Sequence, residues 1–124
     1  MFAPLRLPDQ MEVPALPWTD TTLVDRGARG RLSVRHTPGV GADDRVPVVL
    51  LHGITWTADL NFFGLADTVG RDHPVIVFDA PNHGTGLAVP RFAFADVADD
   101  IAAVLADLGV PQAVVCGFSL GGIC

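Results

Sequence analysis

Residues Gly117-Phe118-Ser119-Leu120-Gly121 spell G-x-S-x-G directly after the apolar run Ala113-Val114-Val115-Cys116. A serine on a sharp strand-to-helix bend is pushed out of its sheet, where its hydroxyl can attack an electrophilic carbon. Such a bend is strained, and the positions two before and two after the serine crowd against it. Gly117 and Gly121 remove the Cβ atoms that would collide, and Gly122 lets the following helix lie close to the strand. A helix starting at the serine would turn free N–H groups and its positive dipole end toward negative charge developing there. A chain of this length holds about 0.04 such pentapeptides by chance, so the surrounding elements must decide whether this one is chemical.

Those elements alternate. Thr22–Asp25 and Leu32–Arg35 flank Arg26-Gly27-Ala28-Arg29-Gly30, which predicts a hairpin with a glycine-bearing turn. Val46–Leu51 is an aliphatic run suited to a strand buried on both faces, and it ends in His52-Gly53. Thr57 is the expected cap of a helix over 58–69, with Phe62, Leu65, Ala66 and Val69 on one face and Gly70 after its end. Pro74–Phe78 reads as a second buried strand, running into Asp79-Ala80-Pro81-Asn82-His83-Gly84. Phe94, Val97, Ala98, Ile101, Val104, Leu105 and Leu108 recur at helical spacing, and Gly109 stops that helix. Its aspartates Asp96, Asp99, Asp100 and Asp107 are read as a solvated face rather than a metal site, because three of them fall within five residues without partner ligands. Strand, helix, strand, helix, strand, bend is the pattern of an α/β fold: a mostly parallel sheet flanked by helices, with right-handed crossovers. Chemistry in such sheets gathers at the carboxyl ends of the strands, where His52, Asp79 and Ser119 all fall.

Composition narrows the function classes. The 124 residues suffice for at most one domain, with 49% apolar residues and mean hydropathy +0.39. No run of eighteen apolar residues suggests a membrane span, and Met1–Arg6 lacks the basic start and unbroken apolar run of a signal peptide. The net charge is −6, and the eight cationic residues are scattered arginines, so nucleic acid is not an expected partner. Cys116 and Cys124 are expected as core thiols in a reducing cytosol. Residues 1–19 are proline-rich and expected to form a surface arm, leaving 20–124 as the folded part.

Three marks, in order, resemble the α/β-hydrolase superfamily over residues 20–124. They are the strand into Leu51-His52-Gly53, the strand into Asp79 with His83-Gly84 following, and Gly117-Phe118-Ser119-Leu120-Gly121-Gly122. The resemblance implies the N-terminal part of such a domain, with Ser119 as nucleophile and the backbone N–H groups of Ile54 and Leu120 as oxyanion hole. It implies Trp56 and Phe118 as substrate-binding residues, with Phe62 and Phe63 as further candidates shared with ordinary packing. The triad acid and histidine would follow the serine and so lie beyond Cys124. His52 is then expected to shape the oxyanion loop, His83 the loop after the second buried strand, and Asp79 its own turn. His36 and His73 are expected as surface or turn residues. A small-molecule acyl substrate, a cytoplasmic setting and no cofactor or metal complete the expectation.

Serine at the bend disfavours the aspartate chemistries of epoxide hydrolases and haloalkane dehalogenases within the superfamily. Ester, thioester, lactone or amide cleavage, acyl transfer, perhydrolysis and carbon–carbon hydrolysis remain, with a small-ester or lactone hydrolase foremost. The competing expectation is a non-catalytic fragment or pseudoenzyme that keeps the sheet as a binding scaffold. A sheet ending at the serine's strand would leave an apolar edge unpaired, so the isolated chain is then expected to aggregate or fold only in part.

Overall fold

The apolar runs fold into five strands and two helices; the computed structural model describes residues 15–124. Strands β1 (Asp20–Asp25) and β2 (Arg31–His36) form the expected hairpin, with Asp20 opposite His36 and Asp25 opposite Arg31. Strands β3 (Val48–Leu51) and β4 (Val75–Phe78) are buried at every residue, as their unbroken aliphatic sequence requires. Strand β5 (Val114–Gly117) carries the bend at its end. The sheet order is β1-β2-β4-β3-β5, antiparallel across the first three and parallel from β4 through β3 to β5.

Period-two alternation divides the core between two faces. Helix α1 (Ala58–Asp72) joins β3 to β4 and covers Val48, Leu50, Val75 and Val77 with Ala58, Phe62 and Ala66. Helix α2 (Phe94–Asp107) joins β4 to β5 and covers Val49, Leu51, Ile76 and Phe78 with Val97 and Val104. Each fully buried Val, Leu, Ile or Phe contributes about 1.5–3 kcal/mol. No helix among the described residues is long and apolar enough to cross a membrane.

Helix ends follow local chemistry, with one correction. The Thr57 hydroxyl accepts from Leu60 N–H at 3.4 Å and starts α1 as expected. The helix does not end before Gly70 but runs to Asp72. Gly70 instead makes room for Pro17, whose Cγ would lie 2.9 Å from a Cβ there. Leu65, expected on the buried face, is exposed, because the stripe Ala58–Phe62–Ala66 points its neighbours outward. Helix α2 ends in a Schellman arrangement: Val110 N–H donates to Leu105 O and Gly109 N–H to Ala106 O, with Gly109 at φ +68°.

Polar burial departs most from expectation. Asp100, placed on a solvated face by the sequence, is fully buried and accepts from Arg26 Nε at 2.6 Å and from both Arg29 terminal nitrogens at 2.9 and 2.8 Å. The hairpin turn folds over α2 and converts one surface carboxylate into a buried clamp. His36 is likewise buried, its ring between the Thr22 hydroxyl and Thr37 O, whereas His73 is exposed at the end of α1. Cys116 is exposed and so is not a core thiol, whereas Cys124 is half-buried and packs against the α2-side core. β5 pairs on one side only among the described residues, which leaves Val114, Val115 and Cys116 uncovered. The first fourteen residues of the expected arm lie outside the described residues. Trp18 is buried against α1, and its Nε1 donates to Asp59 Oδ1 at 2.8 Å.

Removing one partner of a buried ion pair leaves charge without compensation. Asp100→Ala is therefore expected to cost about 3 kcal/mol in denaturant unfolding, against at most about 0.5 kcal/mol for the exposed Asp107→Ala. Equal, small losses would show that the clamp contributes nothing.

Candidate active site

The bend is where the glycine spacing places it. Ser119 is exposed and holds φ +52°, a left-handed conformation uncommon for a residue with a Cβ. A Cβ on Gly117 would lie 2.2 Å from Gly121 O, and one on Gly121 would lie 2.1 Å from Leu51 O. Both distances are impossible for real atoms, so the two outer positions of G-x-S-x-G admit only glycine. Phe118 N–H donates to Leu51 O at 2.9 Å, which seats the bend on the end of β3. After the serine the chain makes a short 3₁₀ turn, Ser119–Gly122. Around it the N–H groups of Phe118, Gly121 and Ile123 donate to Leu51, Phe118 and Leu120 carbonyls, and Leu120 N–H joins none of these bonds.

The loop after β3 faces this bend. A Cβ on Gly53 would lie 2.9 Å from the Phe118 ring and 3.4 Å from Ser119 Cβ, so the loop carrying Ile54 touches the Ser119 bend. Thr55 beside it holds φ +68°, a costly conformation for a β-branched residue. Of the three non-glycine residues with positive φ among the described residues, Asn82 lies in the loop after β4, while Thr55 and Ser119 lie on the two segments that meet here, a pattern associated with functional sites.

What holds the loop is a set of buried polar contacts. His52 is buried, and its Nε2 accepts from Ala80 N–H at 2.8 Å. That nitrogen therefore lacks a proton, and Nδ1 carries the hydrogen it donates to Gly53 O at 2.8 Å. Both nitrogens are spent on backbone, which makes His52 a brace for the loop after β3. His83 packs edge-on against it, ring centres 5.2 Å apart, with its own Nδ1 on Pro81 O. No histidine among the described residues hydrogen-bonds Ser119.

Asp79 organises its turn. Its oxygens accept from Ala58 N–H at 2.8 Å, Thr85 N–H at 2.9 Å and the Thr85 hydroxyl at 3.1 Å, with Arg35 Nη2 at 3.6 Å. Burial disfavours its charge, yet the N–H bonds from Ala58 and Thr85, the Arg35 guanidinium and the Thr85 hydroxyl together outweigh burial. The carboxyl consequently titrates below its ordinary value. Arg35 also pairs with Asp59, which receives Trp18. One chain of charges thus runs from the N-terminal segment to the site.

Trp56 and Phe118 lie on the same depression, an open one of about 220 Å³ that they line with Leu60 and Asn61. Phe62 belongs to the core instead, and Phe63 is exposed outside the depression. Asn61 and Arg35 make contacts at the site that the sequence pattern does not single out. A polar Asn between Leu60 and the buried Phe62, one turn after the His-Gly loop, was the available signal for the first. Arg35 carried none, since its role depends on strand pairing.

A strained serine at the carboxyl end of a parallel strand, beside a glycine loop from the neighbouring strand, defines the α/β-hydrolase class of site. Comparison agrees: the model of the alpha/beta hydrolase fold matches residues 46–124, and the chain belongs to that family. It is 33% identical over 91 residues to the 2-succinyl-6-hydroxy-2,4-cyclohexadiene-1-carboxylate synthase of Pectobacterium atrosepticum, across 69% of this chain and 33% of that one. The Yersinia enterocolitica enzyme of the same name is 31% identical over 75 residues, across 60% of this chain and 27% of that one. The chain therefore spans about a third of the length of these relatives. An epoxide hydrolase from Vigna radiata superposes with a TM-score of 0.55 at 20% identity, covering 84% of this chain and 31% of that one, a likeness of fold alone.

Two outcomes are expected. Gly121→Ala forces a Cβ into Leu51 O and should destabilise the fold by about 2–3 kcal/mol on urea unfolding. Asp79 has a folded pKa below its unfolded value of about 3.9, so its stabilisation is complete above roughly pH 4 and is lost as pH falls through the folded value. The stability deficit of Asp79→Asn should accordingly be largest at pH 6 and shrink toward pH 3. A constant deficit would mean that the charge contributes nothing.

Proposed function

We propose that this chain carries the nucleophile-bearing N-terminal part of a serine hydrolase for small ester, lactone or related acyl substrates. The observation that carries this reading is Ser119 itself, exposed at φ +52° with its flanking glycines sterically obligatory. The Ser119 oxygen attacks the carbonyl carbon, and the carbonyl π pair moves onto oxygen. The N–H groups of Leu120 and Ile54 receive that negative charge. Collapse of the intermediate expels the leaving group and leaves an acyl group on Ser119, which water then removes. The base that takes the serine proton is assigned to a histidine later in the full-length protein, oriented by a carboxylate. His52, the nearest histidine in sequence to the oxyanion loop, has both ring nitrogens engaged.

A second reading is favoured by the two curated relatives, whose names describe formation of a carboxylated cyclohexadiene. The same elbow would then serve a synthase. Among the described residues no arginine lines the depression to receive a carboxylate, and Arg35, the cation at Asp79, is already paired with Asp59 and Asp79.

A fluorophosphonate probe and a panel of small esters test the assignment on the full-length protein. Ser119→Ala should abolish labelling and lower ester turnover by about 10⁴-fold or more. Equal labelling of both proteins would end the hydrolase reading and leave a binding scaffold. Formation of the cyclohexadiene product without ester turnover would favour the synthase.

A further inference from the structure

The depression beside the nucleophile segment contains one polar side chain, and its orientation is determined. Asn61, in the first turn of α1, lines the depression with Trp56, Leu60 and Phe118. Its Oδ1 accepts from Gly53 N–H at 2.9 Å. A backbone N–H can only donate, so the carbonyl end of the amide must face Gly53 and the NH₂ end must face away. Among the described residues, the buried side-chain nitrogens without a partner are Arg29 Nε and Arg35 Nε. Asn61 Nδ2 is not one of these and donates to no acceptor among the described residues, so it is an accessible donor.

The surroundings of that donor are apolar. Trp56, Leu60 and Phe118 are each about half exposed, at 47%, 57% and 55%, and form the walls. At about 220 Å³ the space lies below the roughly 300–1,000 Å³ typical of drug-sized ligands, a size for one ring or a short chain. Phe118 adjoins Ser119 in sequence and touches Gly53, so whatever fills the depression lies next to the reacting centre.

We propose that the depression seats the substrate's side group, and that Asn61 selects a flat apolar group bearing a hydrogen-bond acceptor such as a keto or ether oxygen. This rests on the serine hydrolase assignment for turnover, though not for binding. Asn61 thereby has two tasks: its oxygen anchors the oxyanion loop, and its amide nitrogen reads the substrate.

Asn61→Asp separates the tasks, because it keeps an oxygen for Gly53 N–H and replaces the donor with an acceptor. The probes are the p-nitrophenyl esters of phenylacetic acid and 3-acetylphenylacetic acid, compared on the full-length protein. Wild type should prefer the acetyl-bearing ester by about tenfold in kcat/KM, the worth of one hydrogen bond, and Asn61→Asp should abolish or invert that ratio. No preference in wild type overturns the proposal, as does a preference that Asn61→Asp retains while both rates fall together. Calorimetric binding of the two free acids to Ser119→Ala distinguishes failure of the hydrolase assignment from failure of this one. A preference for the acetyl acid there supports the depression as a reader even where no ester is turned over, and equal binding of the two acids overturns it.

Discussion

Everything at the site depends on a backbone-to-backbone approach that no side chain survives. Gly121 lies against Leu51 O and Gly117 against Gly121 O, both closer than a Cβ allows. Together with the Phe118 N–H bond to Leu51 O, these contacts dock the bend onto the end of β3. The docking is what puts Ser119 beside the Gly53–Ile54 loop. Strain at Ser119 is therefore held by the parallel pairing of β3 with β5, which extends to Leu51 opposite Gly117.

A second tier keeps the opposing loop in place. His52 ties Gly53 O to Ala80 N–H, Asn61 holds Gly53 N–H, and Asp79 grips the first N–H of α1 and the Thr85 turn. Buried polar groups are expensive unless every partner is present. His52 and Asp79 meet that condition by spending ring nitrogens and carboxylate oxygens mainly on backbone. The same expenditure removes His52 and Asp79 from acid–base duty. It also couples the loop to Arg35 on β2 and, through Asp59, to Trp18.

Secondary structure and topology were largely legible. Aliphatic runs marked β3 and β4, helical spacing marked α2, and the G-x-S-x-G glycines marked the bend, because each signal is local and periodic. The errors have one physical origin. At Gly70, Asp100, His36 and Cys116 the local segment points one way, whereas the surroundings come from distant segments. Pro17 crosses α1, Arg26 and Arg29 fold over α2, Thr22 reaches His36 from the neighbouring strand, and β5 has a partner on one side only among the described residues.

The amino-acid order alone determined the alternation of elements and the strained bend at Ser119, since those follow from periodicity and from backbone sterics over a few residues, whereas the exclusion of a side chain at Gly121 comes from Leu51 O on the neighbouring strand. Which histidine tautomer is present, which carboxylate is buried, and which way the Asn61 amide points required tertiary structure. Those properties depend on partners 8 to 74 residues away, from the Gly53–Asn61 bond to the Arg26–Asp100 pair. A hydrogen bond's direction is decided by the group that meets it, and no local pattern encodes that meeting.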